Sequence, residues 1–187
     1  MAGTRRHERK HYYDLEAAKV CRLVISTLLV GSLFGAAVGA EESAPDLVIT
    51  LFDKRNDLGT SQLRLSDLRS RPIVLNFWAG RCPPCRVEMP EFQSFYEEFK
   101  SQVVVLGVDV GLFTELGSHE DAKELVKELG ITYPTGYSDD PEIMRRYNVF
   151  GMPTTFIIDK NGRIVRRWNG VLNRDKLVEI TKSMLAQ

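Results

Sequence analysis

The near-continuous apolar run Ile73-Val74-Leu75-Asn76-Phe77-Trp78 leads within four residues into Cys82-Pro83-Pro84-Cys85, and an amphipathic segment begins at Arg86. A run of this kind, introduced by Pro72, reads as a strand buried on both faces, so helices must cover both sides of its sheet. Two thiols separated by two residues, placed where that strand feeds a helix, can close into a small reversible disulfide within one turn. The spacing therefore implies both a fold class and a chemistry.

Thiol-disulfide exchange needs one thiolate to attack a disulfide and a second thiol to release the mixed disulfide that forms. Cys82, expected to be exposed at the helix N-terminus, is the candidate attacking group, because unpaired N–H groups and the positive end of the helix dipole favour an anion there. Cys85, one turn inward, is the candidate resolving thiol. Pro83 and Pro84 lack N–H groups and so withhold two donors from the Cys82 thiolate, which points to a reductant. Arg81 opposes this trend as an adjacent cation. Two other readings compete. A structural zinc site wants four ligands, but Cys21, His7, His11 and His119 show no ligand spacing. A permanent disulfide closing so short a loop would remove little chain entropy.

Charge balances over the whole chain, with 25 basic and 25 acidic residues, but not along it. Residues 1–22 carry six Lys or Arg against three acids, and residues 41–187 carry the compensating excess of acids. No basic stripe suggests a nucleic-acid partner. Between these parts Leu23 to Ala40 is free of charge. As a helix its eighteen residues span about 27 Å, close to the roughly 30 Å of a hydrocarbon core. The reading is a cytoplasmic basic segment at 1–22, a single transmembrane anchor at 23–40 and a catalytic domain outside the cytoplasm. A signal peptide cleaved after Val38-Gly39-Ala40 is the alternative. Gly31, Gly35 and Gly39 recur at fourfold spacing, as is common in such segments, and Cys21 reads as an incidental reduced thiol.

After a linker at 41–46, Leu47 to Leu51 and Gln62 to Leu65 read as an N-terminal hairpin, and residues 47–187 as one domain. Phe92, Phe95 and Phe99 form a core stripe on a helix from Pro84 to Lys100 in which Pro90 is expected to introduce a kink. Val103 to Val108 is a second buried strand, and a helix from Glu120 to Glu128 stops at Gly130. Asp140-Pro141-Glu142 marks a helix start. Lys160-Asn161-Gly162 joins the strands Thr154 to Asp159 and Arg163 to Trp168, and Asn173 caps a last helix with Leu177, Ile180 and Met184 facing inward. The result is an α/β mixed sheet flanked by helices.

The order of these elements, together with Asn76-Phe77-Trp78-Ala79, Cys82-Pro83-Pro84-Cys85-Arg86 and Gly151-Met152-Pro153-Thr154-Thr155-Phe156, resembles the thioredoxin superfamily. Within it the chain is similar to the membrane-anchored TlpA/ResA-type thiol-disulfide oxidoreductases, which include cytochrome c maturation proteins. The likeness covers roughly residues 44–187. It implies a thioredoxin-like fold with a central insertion at 109–136, a cis Pro153 beside the disulfide, and a Met152 backbone that pairs with the substrate chain. It also implies Trp78 as a supporting residue and Pro90 as the kink of the active-site helix. Arg81 stands where the family commonly has tryptophan. Asn76 stands where thioredoxin has a buried aspartate, and an amide cannot accept the proton of the resolving thiol. Glu88, one turn beyond Cys85, reads as a solvated surface carboxylate, with a role through water as the alternative.

These features together describe a membrane-tethered oxidoreductase that reduces protein disulfides, apocytochrome c among them by resemblance, and is recharged by a membrane thiol donor. The redox-active disulfide replaces any metal or organic cofactor. Two alternatives share the fold: a copper-delivery protein using the soft thiolates with Met152, and a disulfide oxidant or isomerase.

Overall fold

The computed structural model describes residues 42–53 and 58–186. The basic segment 1–22, Cys21 and the candidate anchor 23–40 lie outside the described residues. Among the described residues seven strands and four helices follow in chain order: β1 (Val48–Leu51), β2 (Gln62–Arg64), β3 (Ile73–Trp78), α1 (Pro83–Phe99), β4 (Val104–Asp109), α2 (His119–Glu128), β5 (Thr135–Tyr137), α3 (Ile143–Arg146), β6 (Thr154–Ile158), β7 (Ile164–Asn169) and α4 (Arg174–Leu185). They build one sheet in the order β2-β1-β5-β4-β3-β6-β7. β3, β4 and β5 are parallel, and the pairs β3–β6, β6–β7, β1–β5 and β1–β2 are antiparallel.

Side-chain alternation along β3 explains why the sheet is covered on both faces. Val74 and Trp78 point into one apolar cluster with Met89, Phe92, Phe95 and Phe99 of α1, Ala122 and Leu125 of α2, and Leu177 of α4. Ile73, Leu75 and Phe77 point the other way, into a cluster with Leu106, Val108, Phe156, Ile143 and Tyr147. Each fully buried side chain of this size contributes about 1.5–3 kcal/mol. The expected mixed sheet, the N-terminal hairpin and the phenylalanine stripe are all present.

Register decides what gathers at one end of the sheet. Trp78 lies opposite Asp109 in the parallel β3–β4 pair, and Asp109 lies opposite Tyr137 in β4–β5. Thr154 lies opposite Phe77 in the antiparallel β3–β6 pair, so Pro153 emerges beside the end of β3 that leads to Cys82. The Met152–Pro153 peptide is cis.

Several local expectations are adjusted. Leu65 starts a short 3-10 turn instead of ending β2. α2 begins at His119 under a capping box, in which Ser118 and Asp121 satisfy each other's backbone N–H groups. Asp140 accepts the Glu142 N–H at 2.9 Å and so caps the turn ahead of α3, which is a single turn starting at Ile143. Residues 42–46 lie on the domain: Ser43 bridges to Arg163, and Asp46 accepts the Ser66 N–H at 2.9 Å.

The hairpin β1–β2 is attached to the central sheet through β5 alone, where Leu51 faces Gly136. A Cβ on Gly136 would lie 2.2 Å from the Thr50 carbonyl oxygen. Gly136→Ala is therefore expected to destabilise the fold by about 1–3 kcal/mol, read as a lower urea midpoint. An unchanged midpoint would show that the β1–β5 junction yields freely.

Candidate functional site

Cys82 and Cys85 are joined by a disulfide, with their Cα atoms 5.3 Å apart. Cys82 is the N-cap of α1, and Pro83 and Pro84 occupy its first two positions. Because neither proline has an N–H, the first donor the helix offers is the Cys85 N–H, which points at Cys82 Sγ over 3.3 Å. The sequence placed Cys82 in the open. Instead it is 3 % exposed and belongs to the apolar cluster beneath α1, with Met152 packed against that cluster, while Pro83 and Pro84 face solvent. In this oxidised form Cys82 is covered.

The electrostatics of the turn also differ from expectation. Arg81 is exposed, but its guanidinium is held by Asp121 at 2.8 Å, so its charge is compensated and does not stand free beside Cys82. The Ser118 N–H and hydroxyl, together with Arg81, hold the Asp121 carboxyl down to about 2. The Arg81 N–H donates to the Leu116 carbonyl at 2.7 Å, so the segment between β4 and α2 grips the Cys82 turn through backbone as well as side chain.

Glu88 is the main correction. It is 1 % exposed, not solvated, because it shares the inward face of α1 with Cys85, Met89, Phe92 and Phe95. Its Oε1 accepts from Asn76 Nδ2 at 2.7 Å and its Oε2 from the Leu172 N–H at 2.7 Å. Asn76 also donates to Thr155 Oγ1 at 3.1 Å, which joins β3, β6 and α1 in one polar network inside the core. Burial raises the Glu88 pKa to about 7 against the opposing pull of Leu172 and Asn76. A carboxyl poised near neutrality one helical turn from Cys85 can accept or return a proton.

The remaining predicted residues gather at the same end of the sheet. Trp78 is fully buried and meets Phe52 edge to face at 6.5 Å. The Pro153 carbonyl accepts the Gly170 N–H at 2.8 Å, whereas the Met152 backbone forms no hydrogen bond among the described residues. Phe150, two residues before Met152, is 91 % exposed. The sequence pattern singles out neither Asp109 nor, beyond a metal-ligand role that its spacing excludes, His119. Asp109 Oδ2 accepts from His119 Nδ1 at 3.0 Å beside the active-site turn. The aspartate at the end of the second buried strand was a signal for it, since a charge in that position needs a partner.

Comparison with known proteins agrees with this geometry. The model of the AhpC/TSA family matches residues 40–167. The chain is 34 % identical over 142 residues to the thiol-disulfide oxidoreductase ResA of Geobacillus kaustophilus, covering 75 % of each chain. It is 28 % identical over 162 residues to the sporulation thiol-disulfide oxidoreductase A of Bacillus subtilis, covering 86 % of this chain and 96 % of that one. Among solved structures, the exposed lipoprotein thioredoxin Etrx1 of Streptococcus pneumoniae superposes with a TM-score of 0.62 at 25 % identity, over 74 % of this chain and 99 % of that one.

The raised Glu88 pKa makes a prediction about stability. Between the ordinary carboxyl value near 4.5 and about 7, the unfolded chain has released a proton that the native state still holds. Stability is therefore lost as pH rises through this window, by at most about 3 kcal/mol. Glu88→Gln removes the term, so urea unfolding should show the variant gaining on the parent chain from pH 4 to pH 8. A difference that stays constant with pH would contradict the assignment.

Proposed function

The chain is a thiol-disulfide oxidoreductase of the AhpC/TSA family, and from that premise we propose that it works as a reductant of protein disulfides outside the cytoplasm. The observation that carries the reading is the Cys82–Cys85 disulfide closed over the N-terminus of α1. In the reduced protein the Cys82 thiolate attacks one sulfur of a substrate disulfide, and the other substrate sulfur leaves as a thiolate. Cys85 then loses its proton to Glu88 and attacks Cys82 Sγ. The Cys82–Cys85 bond forms, the second substrate thiolate departs, and two electrons have passed to the substrate.

Three features support the reducing direction. Pro83 and Pro84 withhold two donors, Asp121 compensates Arg81, and buried Asp109 adds an acidic group nearby. Each of these fails to stabilise the Cys82 thiolate, and an oxidant depends on a stabilised reduced form. Met152, whose backbone is unengaged next to cis Pro153, would pair with an extended substrate segment. Apocytochrome c, with cysteines that must be reduced before haem attachment, is the substrate class proposed. The uncharged stretch 23–40 would tether the domain to the membrane, where a thiol donor returns the disulfide to the dithiol.

The test is the full-length Cys85→Ser variant expressed in its host. Without the resolving thiol, mixed disulfides to Cys82 should accumulate, and mass spectrometry of the reducible adducts should return proteins with paired cysteines. Recovery of no disulfide-linked protein would contradict the exchange mechanism.

A further inference from the structure

Behind the active-site turn lies a second buried carboxylate that the exchange steps do not use. Asp109, the last residue of β4, accepts the Gly111 N–H at 3.0 Å and the His119 ring N–H at 3.0 Å, and it faces the Gly80 N–H more weakly. Both backbone donors are glycines with no room for a side chain. A Cβ on Gly80 would lie 2.6 Å from the Ala122 nitrogen, and one on Gly111 would lie 2.7 Å from the Gly117 oxygen. His119 is the first residue of α2, and its ring stacks on Tyr137 at 3.9 Å with Phe52 at 6.4 Å. One carboxyl thus ties the turn that leads to Cys82, the turn after β4 and the start of α2.

An asparagine at 109 could accept the same two backbone N–H groups. What the aspartate adds is charge, facing the Gly80 N–H two residues from Cys82, in a buried place where water screens it little. Its surroundings do little to cancel that charge. β3 presents Trp78 and β5 presents Tyr137, both uncharged, while the active-site turn and α2 present Arg81 and Asp121, which neutralise each other. Among the described residues, His119, when protonated, is the cation that faces Asp109, at 3.0 Å. Glu88 stands apart on α1, in its own network with Asn76 and Leu172.

We propose that Asp109 and His119 are positioning residues for exchange at Cys82. The dyad holds the turn after β4 and the start of α2 against the Gly80 peptide and places a negative charge, shared with the imidazole, behind the nucleophile, which restrains formation of its thiolate. This rests on Cys82 being the attacking thiol.

The test is the rate at which iodoacetamide alkylates Cys82 in the reduced full-length chain at pH 6, followed by mass spectrometry. Asp109→Asn removes the charge and keeps an acceptor, so the rate should rise roughly three- to tenfold with the thiolate fraction. His119→Phe keeps the stack on Tyr137 and ends the sharing of the charge, so the rate should fall. In the double variant His119→Phe should change nothing beyond Asp109→Asn, because the imidazole acts only through the carboxylate. A folded Asp109→Asn chain with an unchanged or slower rate would overturn the inference, as would a His119→Phe effect equal in size with and without the carboxylate. If Asp109→Asn does not fold, His119→Phe alone decides: a slower rate supports the dyad, and an unchanged or faster one overturns it. A parent chain in which Cys85 reacts faster than Cys82 would instead overturn the attacking-thiol assignment, and the inference with it.

Discussion

The junction of β3 and α1 is the constraint on which the rest depends. β3 is buried on both faces, so its direction cannot vary, and α1 must start within a few residues and return across the sheet. Cys82 caps the helix with its sulfur, and two prolines remove the donors that would otherwise compete for it. Cys85 follows on the inward face, so the two sulfurs meet at the point where the rigid strand ends. A dithiol on a flexible loop would lose this geometry whenever the loop moved. Here it is held by the core itself.

Two buried carboxyl groups flank that junction in different ways. Glu88 lies beneath Cys85 with both oxygens engaged, poised near neutral pH by burial. Asp109 lies behind the turn that leads to Cys82, engaged by the Gly111 N–H and His119. Each costs free energy to bury, and each is kept at the junction that carries the disulfide. The segment between β4 and β5 takes part in this arrangement, because its helix supplies His119 and also Asp121, which occupies Arg81.

Local patterns made most of the fold legible. The β3 run, the phenylalanine stripe of α1, the Asn173 cap and the Lys160-Asn161-Gly162 turn each carry a short-range signal, and each forms the expected element. The Cys82–Cys85 disulfide was legible for the same reason. Glu88 was misread because a glutamate is most often solvated, although its spacing from Cys85 and Phe92 already placed it on the buried face. Its two donors come from residues 12 and 84 positions away, and no local pattern reveals contacts of that kind. Arg81 was read as a free cation because Asp121, its partner, is 40 residues distant. The burial of Cys82 depends in the same way on packing contributed by separate segments.

Replacing Cys82 by serine in the full-length chain tests the central claim most directly, with reduction of a protein disulfide as the readout and a folded state shown by circular dichroism. The account predicts that turnover falls to the uncatalysed rate, since the bond-exchanging sulfur is gone. Turnover equal to that of the parent chain would contradict it.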